Sequence, residues 1–135
     1  MQNEYKYSDI TQKIIGASFE VHGFLGNGFP EVIYQRALAH ELFVAGLSFK
    51  RELEQDIYYK SLPSPIGTRR VDFLVEDKVL VELKAKIELE DVHLAQILNY
   101  LKAYRMEVGL LINFGSKSLT FKRVALSAKS TYHYK

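Results

Sequence analysis

Asp72, Glu82 and Lys84 are the residues in this chain whose types and spacing could do chemistry together. In Glu82-Leu83-Lys84, the alternation of an extended strand puts the acid and the lysine on one face and Leu83 on the other. Asp72 lies in a second apolar run, beyond Glu76-Asp77-Lys78, and the two runs read as a hairpin. If the turn centres on Asp77, Asp72 stands opposite Glu82 and Arg70 opposite Lys84. Opposed residues share a face with Cβ atoms about 5 Å apart. Two carboxylates so placed repel each other unless a cation sits between them. A turn centred between Glu76 and Asp77 would instead send Glu82 to the other face. A surface salt bridge from Lys84 to either acid meets the same spacing, so the triad by itself leaves both readings open.

The first reading corresponds to a definite reaction. Phosphodiester hydrolysis needs an activated water and relief of charge on the phosphate. Mg²⁺ prefers oxygen ligands, so two carboxylates suit it, and a neighbouring lysine can orient the water and offset developing charge.

Elements that could position these residues follow from periodicity. With Ser8 as N-cap, Ile10, Ile14, Ala17 and Val21 fall at helical spacing, and the helix should stop near Gly23. Gly23 to Gly28 is a glycine-rich connector without the Lys-Ser/Thr of a phosphate-binding loop. A second helix runs from Pro30 to about Ala45 and places Glu31, Tyr34, Leu38 and Leu42 on one face. A carboxylate on that leucine-bearing stripe asks for a buried partner or a metal. Strand patterns cover Phe49–Tyr59, Arg70–Val75 and Val79–Ala85. Helical periodicity returns from Glu90 to Arg105, and two strands follow at Val108–Phe114 and Leu119–Val124. The tail from Ala125 has no periodic signal. The order ααβββαββ predicts a mixed α/β layer fold.

His93, Gln96 and Tyr100 share a stripe on the third helix. Gln96 could hold a phosphate or a bound water, and Tyr100 a phosphate or a base; helix–sheet packing is their structural alternative. Arg70 and Lys122 are candidate phosphate contacts, with a solvated basic surface as the alternative. His22 and His93 lack the helical spacing of a zinc site, and without cysteine there is neither a thiol nucleophile nor a disulfide.

Gly28-Phe29-Pro30-Glu31-Val32-Ile33-Tyr34 reads as Gly-x-x-Glu-x-x-Tyr. Followed by Asp72, Glu82-Leu83-Lys84 and Gln96-x-x-x-Tyr100, it closely resembles the GxxExxY family of PD-(D/E)XK nuclease-like proteins, and the last element resembles that of RecB-like nucleases. The resemblance runs from about Ile10 to Val124. It implies a restriction-endonuclease-like fold, a central mixed β-sheet flanked by α-helices. It implies Asp72, Glu82, the Leu83 carbonyl and Glu31 as metal ligands, Lys84 as the catalytic lysine, and Gln96 with Tyr100 beside the site. Tyr34, Tyr100, His93, Arg70 and Lys122 are then the expected nucleic-acid contacts. Val71 stands where the nominal motif has proline, a side chain the chemistry does not use.

The expected protein is a Mg²⁺-dependent nuclease, with Mn²⁺ as a substitute ion and DNA as the favoured substrate. The alternative is a non-catalytic nucleic-acid-binding or protein-interaction module on the same fold. Bulk properties permit either. A length of 135 residues suits one domain, with a core at about 10–124 and a tail at 125–135. The net charge of +2 is split, residues 1–60 carrying −2 and residues 61–135 carrying +4. No apolar run approaches a membrane span, and the start lacks the apolar region of a signal peptide. A cytoplasmic setting is expected, with a homo-oligomer or a protein partner supplying any sequence specificity.

Overall fold

The structure is a computed structural model that describes residues 6–126. Helices α1 (Ser8–Leu25) and α2 (Glu31–Val44) precede strands β1 (Phe49–Ile57), β2 (Gly67–Val75) and β3 (Val79–Lys84). Helix α3 (Asp91–Tyr104) then leads to β4 (Val108–Asn113) and β5 (Thr120–Ala125). This is the order that the periodicities predict. The strands form one sheet ordered β1-β2-β3-β4-β5, antiparallel throughout except for the parallel pair β3–β4. A parallel pair needs a crossover connection, and α3 is that connection.

The layers follow from which side chains are apolar. Ile14, Val21, Tyr34, Leu38 and Leu42 of α1 and α2 pack on Phe73, Val75, Val79, Val81 and Leu83. Leu101 of α3 packs with Val71, Leu74 and Leu80 on the opposite side. Between these layers β3 is buried along its length, with only Lys84 partly open. Gly109 on β4 lets α3 approach closely, since a Cβ there would lie 3.1 Å from Ile97 and Leu101 side-chain atoms.

Some boundaries differ from the sequence reading. Ser8 is the first helical residue rather than the cap; Tyr7 occupies the cap position in left-handed conformation, with no side-chain cap bond. Helix α1 runs through Gly23 to Leu25, because Gly26, with φ of 70°, makes the turn instead. Ala125 still belongs to β5 and Leu126 is buried, so the ordered core runs past Val124, where the sequence reading ends it. The rest of the expected tail, 127–135, lies outside the described residues.

The β2–β3 hairpin pairs Phe73 with Val81, Leu74 with Leu80 and Val75 with Val79, the register of a turn centred on Asp77. Glu76 and Asp77 both take positive φ there. The ladder ends at Phe73↔Val81, so the expected pairing of Arg70 with Lys84 does not form. Arg70 instead meets Glu52 at 3.0 Å on the exposed side of β1.

Asp72 marks a break on both of its flanks. The β1–β2 ladder pairs Arg51 with Phe73 and Leu53 with Val71, and skips the position between, where Glu52 takes a left-handed φ of 51°. Strict alternation would put Val71 and Phe73 on one face. Phe73 packs with α1 and α2, whereas Val71 and Leu53 pack with α3. The two strands therefore roll over together at Glu52 and Asp72, and their far ends lean across α3. There the Tyr104 hydroxyl donates to the Leu53 carbonyl at 2.5 Å, and the Gln55 amide to the Ala103 carbonyl at 2.6 Å.

Candidate metal and catalytic site

The break in the sheet leaves backbone N–H groups that side chains satisfy. Where the ladder would continue, the Leu83 N–H donates to Asp72 Oδ2 at 2.7 Å. In return, the Asp72 N–H donates to Glu82 Oε1 at 3.3 Å. Each carboxylate thus turns into the seam between β2 and β3, which refines the expectation that both project plainly from one face. Paired antiparallel residues direct N–H and C=O toward the same partner strand. By that rule the Leu83 carbonyl leaves β3 on the Asp72 edge, while the Lys84 carbonyl accepts from Phe114 N–H on the other.

The second Asp72 oxygen is held from α2. Gln35 Nε2 donates to Asp72 Oδ1 at 2.8 Å, and Gln35 Oε1 accepts from Arg51 at 2.8 Å. Neither Gln35 nor Arg51 was singled out by sequence. The signal existed for Gln35, which lies one turn after Glu31 and three residues before Leu38, on the buried side of α2.

Glu82 is the most perturbed acid. Burial, and then the charge of Asp72, push its carboxyl up from the usual range to about 8. Lys84 opposes this only partly, its Nζ standing 3.8 Å from Glu82 Oε2, with both side chains largely buried. A solvated surface salt bridge is therefore not what this lysine forms. Tyr100 on α3 faces the same charges, its hydroxyl raised by burial and then by Glu82. The Arg69 guanidinium lies 5.4 Å from the Tyr100 ring centre. One turn earlier, Gln96 Oε1 is buried with no hydrogen-bond partner among the described residues.

Asp72, Glu82, Lys84, Tyr100 and Gln35 thus gather at one end of the hairpin, with Gln96 a turn along α3. The helical acid does not join them. Glu31 is exposed at the first residue of α2, so its carboxylate is solvated and needs no buried partner. Among the described residues no three His, Asp or Glu side chains come together as a ready-made metal cage. The expected convergence of Glu31 with Asp72 and Glu82 is absent, and Gln35 holds the position against Asp72 instead.

Two expected nucleic-acid contacts are structural. Tyr34 is fully buried, stacked on Phe114 at 4.8 Å, and its hydroxyl donates to Gly26 O and accepts from Phe29 N–H. It closes the glycine-rich loop and has no surface to offer a ligand. His93 is buried as the return half of a capping box, its Nδ1 accepting from Glu90 N–H at 2.9 Å. Lys122 behaves differently. Register aligns it with Leu111 and through that with Glu82, so it lies exposed on the same sheet row, about 10 Å away by strand spacing. His22 joins α1 to the loop after β4, its Nε2 lying 3.0 Å from Ser116 O.

The chain after Lys84 is also fixed. Asn113, fully buried, accepts from Lys86 and Gly115 N–H and donates to Lys86 O. Gly115 lies so close that a Cβ would be 2.3 Å from Ala85 and Lys86 backbone atoms.

The donor set suits a divalent cation. Asp72 and Glu82 are adjacent, their mutual repulsion is not neutralised by Lys84, and Gln96, one turn along α3 from Tyr100, carries a buried oxygen with spare accepting capacity. Asp72 and Glu82 are the residues that would hold such an ion.

Comparison with known proteins bears on the family and the fold. The family model described as the PD-(D/E)XK nuclease superfamily matches residues 8–124. No curated protein matches the sequence. The chain is similar to the crystal structure of SSO0001, at 16% sequence identity and a TM-score of 0.59. That likeness covers 76% of this chain and 55% of the other, so the chain spans about half of that protein's length. At such identity it concerns the fold, a five-stranded mixed sheet flanked by helices. With the family match spanning nearly all of the chain, the protein belongs to the PD-(D/E)XK nuclease superfamily.

Proposed function

We propose that the chain is a Mg²⁺-dependent nuclease acting on nucleic acid, with DNA the favoured substrate, and that it falls within the GxxExxY group of its superfamily. One observation carries the reading: Asp72 and Glu82 meet where the sheet opens, and Glu82 is pushed up to about 8 by burial and by Asp72. A structural pair would gain nothing from two acids so placed.

Bound Mg²⁺ or Mn²⁺ would supply the positive charge that steadies both carboxylates and the phosphate. The chain's own residues supply the rest. Lys84, beside Glu82, orients the attacking water and offsets charge developing on the phosphate oxygens. Gln96 and Tyr100 hold the water or a phosphate from the α3 side, and Gln-x-x-x-Tyr supports exonuclease-like action. Lys122, on the same row as Glu82, and exposed Arg70 suit contacts to the phosphate backbone further out. The absence of cysteine and of any helix long and apolar enough to cross a membrane, among the described residues, fits cytoplasmic work.

A second reading, a non-catalytic binding module, is favoured by the occupation of both Asp72 oxygens by Gln35 and Leu83. Incubation with single- and double-stranded DNA and RNA, in Mg²⁺, Mn²⁺ or EDTA, separates the two. Metal-dependent cleavage of at least one substrate supports the nuclease. Binding that persists in EDTA, without cleavage in either metal, supports the module and overturns the proposal.

A further inference from the structure

The clamp on Asp72 has a feature that ordinary packing does not require. Its two oxygens accept from two different elements, Gln35 on α2 and Leu83 on β3, which fixes the plane of the carboxylate. Each carboxylate oxygen has two acceptor positions, so one on each remains for a ligand. Gln35 is itself constrained. A guanidinium only donates, so Arg51 demands the Gln35 oxygen and leaves the amide nitrogen to face Asp72. Arg51 comes from β1, beside the skipped position at Glu52. Three elements thus converge on one acid at the point where both neighbouring ladders break.

We infer that Gln35, with its amide orientation set by Arg51, is a positioning residue that presents Asp72 in a fixed pose to a divalent cation. This rests on the metal-site reading above. Gln35 is nearly fully buried and Arg51 exposed, so the link runs from solvent to the site through a single amide. Reversing that amide would put its carbonyl oxygen against Asp72 and lose both hydrogen bonds. The arrangement therefore controls how ready Asp72 is to bind, without Gln35 touching substrate.

The test is Mn²⁺ binding to the full chain, measured by calorimetry without nucleic acid. Gln35→Leu should weaken binding about tenfold, the lower end for groups that orient a metal ligand. Arg51→Met should weaken it by a smaller factor, with the fold kept and melting in EDTA lowered only modestly, because the Gln35 oxygen loses its donor. The double variant should bind no more weakly than Gln35→Leu alone. Wild-type affinity in Arg51→Met, or losses that multiply in the double variant, overturns the link, and this holds even if Gln35→Leu does not fold. Asp72→Asn should remove Mn²⁺ binding. If it does while both clamp variants bind as wild type, the positioning role alone fails; if Asp72→Asn binds normally, the metal reading fails and the inference with it.

Discussion

Asp72 and Glu82 exchange side chain for backbone: the Asp72 N–H donates to Glu82 Oε1, while Asp72 Oδ2 takes the N–H of Leu83, the residue after Glu82. Two acids thereby complete a broken ladder and stand side by side. That arrangement fixes their positions and makes them compete for charge, and several measurable consequences follow from it and its surroundings.

Glu82 makes metal-free stability depend on pH. Its folded value near 8 lies above the ordinary 4.5, so the folded state holds a proton that the unfolded state has released. The stabilisation is complete below about pH 4.5 and is lost as pH rises to about 8. Urea unfolding in EDTA should show stability falling across that window, by at most about 1.4 kcal/mol per pH unit from this group. Glu82→Gln should flatten that part of the profile. An unchanged slope in the variant would contradict the burial argument.

Glu52 takes a left-handed φ to let β1 and β2 roll over at Asp72. Glycine adopts this conformation freely and alanine does not. Both substitutions remove the same exposed ion pair with Arg70, so their difference isolates the backbone. Glu52→Gly should be more stable than Glu52→Ala by about 1 kcal/mol. Equal melting temperatures would mean that the break carries no such strain.

Gly115 abuts the backbone just after Lys84, and neither partner is a flexible side-chain end. Gly115→Ala should cost about 3 kcal/mol through overpacking and shift the Ala85–Lys86 segment. Thermal melting would read the first effect, and amide chemical shifts of Lys84 to Lys86 the second.

Tyr34 closes the Gly26–Phe29 loop through its hydroxyl. Tyr34→Phe keeps the stacking on Phe114 but leaves two backbone groups without their partner. Stability should fall by about 1–3 kcal/mol. Nucleic-acid affinity of the folded variant should not change, whereas a specific loss of affinity would restore Tyr34 as a contact.

The order of elements was legible because helices and strands here have clean periodicities, and the hairpin register because the turn could centre on only a few residues. Asp72, Glu82 and Lys84 came together for that reason. Glu31 misled because a helical stripe gives direction but not depth: Tyr34, Leu38 and Leu42 reach the core, while Glu31 sits one turn too early. The neighbouring turn brought Gln35 to Asp72 instead. His93 reads as a nucleic-acid contact from the sequence because capping by histidine, its place in the structure, has a weak sequence signature. The break at Glu52 was invisible because an acid gives no hint of positive φ.

The central claim is that Asp72, Glu82 and Lys84 make a metal-dependent phosphodiesterase site. The most direct measurement is strand cleavage of a labelled DNA by the purified chain in Mg²⁺, in EDTA, and in folded Asp72→Asn and Lys84→Ala variants. Cleavage in Mg²⁺ that vanishes in EDTA and falls at least about a hundredfold in both variants is the predicted result. Cleavage that persists in EDTA, or that survives both substitutions at the wild-type rate, would contradict it.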